Sequence, residues 1–199
     1  MKNKIFRSII SAIFIGVFCL AFSSCKKNSK PVSIPTSTDV YKFDGDKILG
    51  LIDTERMYQS LQLPAFDGST QLVEISSCAF EDNPFLETVE IPEGIQYISE
   101  YAFSSCFSLK TVSFPSTLTY LGDGVFSVCA ISSITLPKSL TEIGECAFEG
   151  CPLEEVKFLG TVSEWNKINC QTDWSIFGSL SEITCTDGTV STIFTDSPF

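Results

Sequence analysis

The chain has 199 residues, of which 19% are charged and 44% are hydrophobic, as in an ordinary globular protein. It contains no histidine, which excludes Ser-His-Asp and Cys-His catalysis and zinc sites with histidine ligands. Thirteen basic residues against 24 acidic ones give a net charge of −11, and this balance argues against nucleic acid as a partner. Phenylalanine supplies 17 of the aromatic residues, an excess that the fold has to explain.

Residues 1–24 have the features of a secretory signal peptide. A basic start precedes the uncharged apolar run Ser8–Ala21, which is too short for a comfortable membrane span of about 20 residues. The segment Leu20–Cys25 (LAFSSC) resembles a bacterial lipobox, in which the cysteine becomes the lipidated first residue. We therefore predict a lipid anchor on Cys25 and a place in the bacterial cell envelope, at the outer membrane or the cell surface. The alternatives are an ordinary signal peptide cleaved nearby and an uncleaved anchor.

Residues 25–38 form a polar tether before the body of the protein. The tether contains three lysines and two prolines and has almost no apolar content, which predicts an extended, flexible spacer. From Asp39 onward, seven basic residues stand against 24 acidic ones, a net charge of −17. We expect a basic tether near the membrane and an acidic body held away from it.

The body is built from a repeat of 22–23 residues. Phe80, Phe103, Phe126 and Phe148 are 23, 23 and 22 residues apart, and Ile75, Ile98, Leu121 and Ile143 keep the same spacings. Further columns run in register with these two, at Asn83/Cys106/Cys129/Cys151, Leu86/Leu109/Ile131/Leu153 and Val89/Val112/Ile134/Val156. Because a unit this short cannot bury its own apolar face, the pattern predicts a stack of similar turns.

One unit illustrates the predicted local structure. Leu109, Val112 and Phe114 fit a short strand with apolar residues facing inward, which Pro115 ends because it cannot donate a ladder hydrogen bond. Phe103 lies in a tight turn or short helix that pushes its ring into the core. We therefore predict a mainly β fold with short helices and turns, a solenoid of about four to five repeats in which the phenylalanine rings form a ladder.

The repeat resembles the BspA-type leucine-rich repeat of bacterial surface proteins. The segments that carry the resemblance are 98–106 (ISEYAFSSC) and 143–151 (IGECAFEGC). Residues 61–68 (LQLPAFDG) are similar to the opening repeat of that family, 158–168 (FLGTVSEWNKI) to its closing unit and 185–189 (CTDGT) to its final turn. The resemblance implies a leucine-rich repeat solenoid over roughly residues 41–190. It implies little about function, because members range from adhesins to proteins of no known role.

Caps are expected at both ends, since a solenoid otherwise exposes its core. Residues 41–52 predict a β-hairpin with Asp44-Gly45 at the turn. The predicted organisation is a leucine-rich repeat domain over 39–190, with an N-terminal cap (39–60), repeats (61–158) and a C-terminal cap (159–190). Residues 191–199 are expected to be a tail.

Seven cysteines remain after Cys19 and Cys25 are set aside, an odd number that leaves at least one thiol without an intramolecular disulfide. Three of them occupy the column Cys106/Cys129/Cys151, whose side chains are expected to point inward and bond to neighbouring backbone. The spacing of Cys146 and Cys151 matches no standard zinc knuckle. No calcium loop, phosphate loop or marked pair of carboxylates occurs, so the sequence predicts no metal, no cofactor and no enzymatic activity.

The outward positions of the strands are the predicted binding face. They alternate with the core positions and form an aligned, polar array, and aligned faces of solenoids bind partners. The alternative is a sheet face that is merely solvated. The predicted face consists of Glu87, Thr88, Glu90, Lys110, Thr111, Ser113, Ser132, Ser133, Thr135, Glu154, Glu155 and Lys157.

These features predict a lipid-anchored envelope protein that binds a host or bacterial surface protein, as an adhesion or interaction module. A carbohydrate-associated module is one alternative, and it would need exposed aromatic platforms, for which Trp165, Trp174, Tyr97, Tyr101 and Tyr120 are available. A structural spacer in an envelope assembly is another. Tyrosine and tryptophan exposed together on one face would favour sugar, and a bare polar face would favour protein.

Overall fold

The computed structural model describes residues 38–53, 58–171, 174 and 180–192. The predicted signal peptide, Cys25 and nearly all of the tether lie outside the described residues, as does most of the predicted tail. The chain is mainly β, and the described residues contain a single short α-helix. None of the helices within these ranges is long and apolar enough to cross a membrane.

Sixteen short strands follow one another within the described residues. The first eight are β1 (Tyr41–Asp44), β2 (Lys47–Leu51), β3 (Ser60–Gln62), β4 (Phe66–Asp67), β5 (Thr70–Gln71), β6 (Glu74–Ile75), β7 (Thr88–Glu90) and β8 (Tyr97–Ile98). The others are β9 (Thr111–Ser113), β10 (Tyr120–Leu121), β11 (Ser133–Leu136), β12 (Glu142–Ile143), β13 (Glu155–Phe158), β14 (Asn169–Cys170), β15 (Glu182–Cys185) and β16 (Gly188–Ser191). The helix α1 spans Val162–Trp165, and a 3-10 turn spans Thr38–Val40.

One side of the solenoid is a seven-stranded sheet in the order β1-β2-β6-β8-β10-β12-β14. All its strands pair in parallel except β1 and β2, which form an antiparallel hairpin. The register aligns equivalent positions of neighbouring turns in rows, one facing inward and one facing outward. The inward row consists of Ile48, Ile75, Ile98, Leu121, Ile143 and Cys170. The five aliphatic side chains of that row are fully buried, which explains why the column is aliphatic.

The other strand of each turn lies on a second surface of the solenoid. The strands on this surface are divided between separate sheets. A three-stranded sheet has the order β3-β7-β9, and a four-stranded sheet has the order β11-β13-β15-β16. Strands β4 and β5 form a separate two-stranded hairpin.

The division falls where the repeat changes length. Cys106 and Val112 are six residues apart, whereas Cys129 and Ile134 are five apart. The turns before this point have the longer link and pair with each other. The turns after it have the shorter link and also pair with each other. At the junction Val112 is half-buried, although the equivalent Val89 and Ile134 are each 2% exposed. A one-residue deletion therefore interrupts the sheet and loosens the core beneath it.

The phenylalanine column forms the predicted ladder. Phe80 and Phe103 stack with ring centroids 5.1 Å apart, and Phe126 and Phe148 with centroids 5.5 Å apart. Trp174 continues the stack, since its ring meets Phe148 edge-on at 6.0 Å. These spacings are close to the separation of about 4.8 Å between paired strands, so each turn contributes one ring. The phenylalanine column therefore fills the core.

Both ends of the solenoid are closed by hairpins. At the N-terminal end, β1 and β2 turn at Gly45, whose φ of 59° favours glycine. Strand β2 also pairs in parallel with β6, so this hairpin is both a cap and a rung of the stack. At the C-terminal end, β15 and β16 form an antiparallel hairpin that continues through Ser191, the residue at which a tail was expected to begin.

The helix α1 is fixed at its start by a capping box. The Thr161 hydroxyl accepts a hydrogen bond from the Glu164 backbone N–H, and the Glu164 carboxylate accepts one from the Thr161 N–H. Trp165, at the end of the helix, packs edge-on against Phe158 with ring centroids 5.3 Å apart. Residues 158–165 thereby cover the last turn of the core.

Candidate protein-binding face

The twelve residues predicted from the sequence all lie at the surface, on one side of the solenoid. We call this set, with Ser60 and Gln62 of β3, the strand face. Glu87 and Thr88 are half-buried and the other ten predicted residues are exposed. The prediction treated the twelve as one continuous array, whereas the structure divides them between two sheets. Whether they form a binding site stays a prediction.

The first half of the strand face surrounds a shallow depression of about 310 Å³. Its wall is made by two aligned rows that run across β3, β7 and β9. One row consists of Ser60, Thr88 and Thr111, and the other of Gln62, Glu90 and Ser113. Because parallel strands repeat every 4.8 Å or so, the rows present hydroxyl, amide and carboxylate groups at regular intervals. The depression thus offers polar hydrogen-bonding groups on a rigid backbone.

Two cross-strand hydrogen bonds hold this half of the face in place. The Thr88 hydroxyl donates to the Ser60 hydroxyl oxygen, and the Gln59 side-chain amide donates to the Glu87 carboxylate at 2.8 Å. Both bonds join consecutive turns, so they fix the side chains along the row. A partner would meet a surface whose side-chain entropy has already been reduced.

The second half of the strand face contains an ion pair. Lys157 lies 3.0 Å from the Glu155 carboxylate, and the Ser133 hydroxyl donates to the same carboxylate at 3.2 Å. The hydrogen bond from Lys157, followed by that from Ser133, lowers the pKa of Glu155. This carboxylate therefore carries its charge at neutral pH and below it.

The cysteine column points inward, as expected. The thiols of Cys106, Cys129 and Cys151 donate hydrogen bonds to backbone carbonyls of the preceding turns, at 3.3, 3.2 and 3.1 Å respectively. The accepting residues are Phe80, Phe103 and Phe126, so each thiol joins its turn to the phenylalanine ladder. Burial raises the pKa of the Cys106 thiol to about 12, and burial also raises the pKa of Cys129. All three thiols are buried and connect neighbouring turns of the core.

The remaining cysteines form no cluster. Cys78 is exposed, and a hydrogen bond with Glu81 raises the pKa of its thiol, while burial raises the pKa of Cys170 to about 11. Among the described residues, no three His, Cys, Asp or Glu side chains are grouped so that they could hold a metal ion.

A family model for the BspA type leucine-rich repeat region matches residues 50–170 with six copies. The chain belongs to the BspA-type leucine-rich repeat family. The predicted family and the mainly β solenoid are therefore confirmed, although the expected four to five repeats were too few. The match extends beyond the predicted repeats (61–158) at both ends, into residues that the prediction assigned to the caps.

Solved structures of other leucine-rich repeat proteins have the same fold. A leucine-rich repeat protein from Bacteroides ovatus is 26% identical with a TM-score of 0.51, and the match covers 62% of this chain and 36% of that one. A leucine-rich cell surface protein from Faecalibacterium prausnitzii is 24% identical with a TM-score of 0.52, covering 62% of this chain and 38% of that one. The pneumococcal vaccine antigen PcpA is 20% identical with a TM-score of 0.55, and the match covers 79% of this chain and 36% of that one. The chain thus spans well under half the length of these three proteins. The search of curated proteins finds no match.

The repeat also presents a second row that the sequence analysis missed. It lies on the outer surface of the seven-stranded sheet, and we call it the tyrosine face. It consists of Lys47, Glu74, Tyr97, Tyr120, Glu142 and Asn169. The signal was present in the sequence, because each residue from Glu74 to Glu142 in this row stands directly before a member of the buried aliphatic column.

The aromatic residues considered for carbohydrate binding divide between core and surface. Trp165 and Trp174 are 6% and 7% exposed, so they close the core and offer no platform. Tyr97 and Tyr101 are exposed, and Tyr120 is half-buried beside Tyr97. The exposed tyrosines lie away from the strand face, which contains no aromatic residue.

Proposed function

We propose that this protein is a binding module of the bacterial cell envelope whose strand face binds a partner protein. The observation that carries the proposal is the depression bordered by the aligned rows of β3, β7 and β9. The sequence repeat places the same kinds of polar group at the same height on successive turns, so one extended polypeptide can contact several turns at once. Solenoids bind partners through such extended surfaces.

The chemistry of the strand face favours protein over sugar. Sugar sites commonly stack the ring of the sugar on an aromatic side chain, and the strand face has none. Its hydroxyl, amide and carboxylate groups are suited to hydrogen bonds with a peptide backbone and with polar side chains. The acidic body, with a net charge of −17 from Asp39 onward, would attract a basic partner and raise its association rate at low salt.

We further propose that a lipid on Cys25 anchors the protein to the bacterial envelope. Support comes from the lipobox-like segment Leu20–Cys25 and from the basic tether that follows it. The solved relative from Faecalibacterium prausnitzii is described as a cell surface protein, which is consistent with such a location. A tethered domain would present its strand face to molecules beyond the membrane.

We propose no enzymatic activity. The chain lacks histidine, and the three aligned thiols are buried and engaged with backbone carbonyls. The carboxylates of the strand face lie at the surface, and the depression that Glu90 borders is shallow. This arrangement supports binding better than catalysis.

The experiment is a binding measurement with a strand-face variant. Thr111→Lys and Thr135→Lys together add bulk and charge to the face, while the core residues Val112 and Ile134 stay unchanged. A partner is first captured with the full-length protein from host matrix proteins or from the cell's own envelope, then identified and purified. We expect its affinity for the double variant to fall by about tenfold or more, which corresponds to about 1.4 kcal/mol.

The matched control places the same two charges elsewhere. Thr70→Lys and Ser163→Lys are exposed positions on β5 and α1, outside the strand face. The affinity of this control should stay within about twofold of the wild type, because only the general charge changes. Equal losses in the two double variants would contradict the strand face as the binding site. Loss of binding in the control alone would place the site outside the strand face. A capture that yields only envelope assembly proteins would favour the structural spacer.

A further inference from the structure

The tyrosine face has an ordered sequence of side chains across six turns. Two tyrosines stand at its centre, a glutamate flanks them on each side, and Lys47 and Asn169 stand at the two ends. The face lies on the opposite strand of the repeat from the strand face, and its outward side chains alternate with buried aliphatic residues. It is therefore a second surface, with its own chemistry.

The tyrosine pair is open to solvent. The rings of Tyr97 and Tyr120 lie with centroids 6.4 Å apart and planes tilted by 49°, and Tyr97 is 43% exposed. Tyr120 is half-buried, and its ring lies beside that of Tyr97. An exposed ring face has a negative quadrupole that attracts cations, and guanidinium groups stack on it most often.

The carboxylates around the pair are held in fixed positions. Glu74 accepts a hydrogen bond from Ser99 at 2.9 Å, and one from Lys47 at 2.7 Å. Glu142 accepts one from Asn169 at 3.3 Å, and Glu100 accepts one from Ser77 at 2.6 Å. Since a carboxylate has about four lone-pair sites, each of these groups can still accept hydrogen bonds from a partner.

The charge of the face is strongly one-sided. Four carboxylates lie near the two rings. Glu74 is beside Tyr97 in the row, and the charges of Glu142, Glu100 and Asp123 act on Tyr120. Lys47, at the end of the row, neutralises only Glu74. Desolvation, together with the negative charges of Glu100, Asp123 and Glu142, raises the pKa of Tyr120. The potential at the Tyr120 ring is therefore negative, which favours a bound cation beside it.

We infer that the tyrosine face is a docking site for an arginine-bearing segment of a basic partner protein. The guanidinium packs against the neighbouring rings of Tyr97 and Tyr120 and forms bidentate hydrogen bonds with a carboxylate on the Tyr120 side of the pair, that of Glu142 or Glu100. Arginine fits this site better than lysine because its planar group combines stacking with a fork of donors. The site does not depend on the strand face, so one protein can hold two partners, or two segments of one partner.

Other occupants account for fewer of the observations. A neutral glycan would use the exposed ring but would leave the excess of carboxylates without a role. A metal ion would need a group of three ligands, and no such group occurs among the residues the structure describes. Charge complementarity selects a cationic segment.

The test uses the full-length protein and a fluorescent peptide of alternating glycine and arginine, with binding measured by fluorescence anisotropy. Matched peptides carry lysine or glutamate in place of arginine, and a neutral β-linked oligosaccharide represents the glycans. We expect the arginine peptide to bind most tightly. Tyr97→Ser should weaken its binding by about tenfold, while Tyr97→Phe, which keeps the ring, should retain it.

A pair of charge variants separates the site from the general attraction of an acidic protein. Glu100→Gln with Glu142→Gln removes two charges beside the tyrosines, and Glu154→Gln with Glu155→Gln removes two from the strand face. Only the double variant at Glu100 and Glu142 should bind the arginine peptide about tenfold more weakly at moderate salt.

Equal losses in the two pairs, an unchanged affinity of Tyr97→Ser, or failure of the arginine peptide to bind at all would each overturn the inference. So would tighter binding of the neutral oligosaccharide that depends on Tyr97, because the occupant would then be a glycan.

Discussion

The rings of Phe103 and Phe126 stack with their centroids 5.4 Å apart and their planes only 9° from parallel. The two residues are 23 positions apart in the sequence, one full turn of the solenoid. The same backbone relationship recurs on either side, so Phe126 stacks on Phe148 as well and also meets Phe114 edge-on at 5.8 Å. The centre of the core therefore depends on this one ring.

We predict that Phe126→Ala lowers the free energy of unfolding by about 3–5 kcal/mol, because it removes a fully buried ring from a close-packed stack. Urea denaturation of the two proteins measures the difference. Phe66→Ala is the matched control, since Phe66 is 51% exposed on the β4–β5 hairpin. This control should cost less than about 1 kcal/mol, and equal losses for the two variants would show that the ladder is not the core.

Val128 lies in a backbone conformation that suits few side chains. Its φ is 58°, and the equivalent positions in the other turns are Asp82, Ser105 and Gly150, with φ of 56°, 60° and 73°. A β-branched residue is disfavoured there, whereas asparagine is tolerated. We predict that Val128→Asn raises the free energy of unfolding by about 1 kcal/mol.

The control for this substitution is Val128→Ala, which also shortens the side chain but lacks the preference of asparagine for a left-handed backbone. Thermal denaturation should rank the Asn variant above both the wild type and the Ala variant. A gain in the Ala variant as large as that in the Asn variant would mean that loss of the β-branch, and not the preference of asparagine for a left-handed backbone, accounts for the gain.

The buried thiol of Cys106 predicts a loss of stability in alkali. Burial raises the pKa of this thiol to about 12 in the folded protein, from an ordinary value of 9.0 in the unfolded chain. Between these two values the unfolded chain releases a proton that the folded protein keeps, so the free energy of unfolding falls as the pH rises above 9.0.

Cys106→Ser removes this titration and keeps a donor for the Phe80 carbonyl. We expect the free energy of unfolding of the wild type to fall by up to about 1.4 kcal/mol more per pH unit than that of the variant. Urea denaturation at about pH 8 and about pH 10 measures the two slopes. Parallel slopes would contradict a protonated, buried Cys106.

The proposed anchor predicts a specific dependence on Cys25. Cys25→Ala should abolish labelling with radioactive palmitate and release the protein from the membrane fraction, because no other residue would receive the lipid. Cys19→Ala, which changes a cysteine within the apolar run Ser8–Ala21, should leave both properties intact. Palmitate labelling that persists without Cys25 would refute the lipoprotein proposal.

Much of the fold could be predicted from the sequence because each turn repeats the same physical requirement. Phe103 and its equivalents must fill one position in the stack, and Ile98 and its equivalents must fill another, so both columns are visible as spacings. The inward thiols of Cys106, Cys129 and Cys151 follow from the same register.

The features that were missed depend on contacts between turns. Strands such as β8 and β10 are two residues long, too short for an alternating pattern, so the position of each tyrosine directly before the buried aliphatic column was the only signal. The interruption between β9 and β11 depends on a single missing residue before Ile131, whose effect on pairing appears only when the turns are stacked. For this reason the strand face was predicted as one array and the tyrosine face was not predicted.

The central claim, that the strand face binds the partner, is tested most directly by site-specific photo-crosslinking. A photoreactive amino acid is placed at Thr111, at Thr135 or, as the control, at Ser163 of α1, all of which are exposed. We expect the partner to become covalently attached at Thr111 and Thr135 and not at Ser163. Crosslinking at Ser163 without crosslinking at either threonine would contradict this claim.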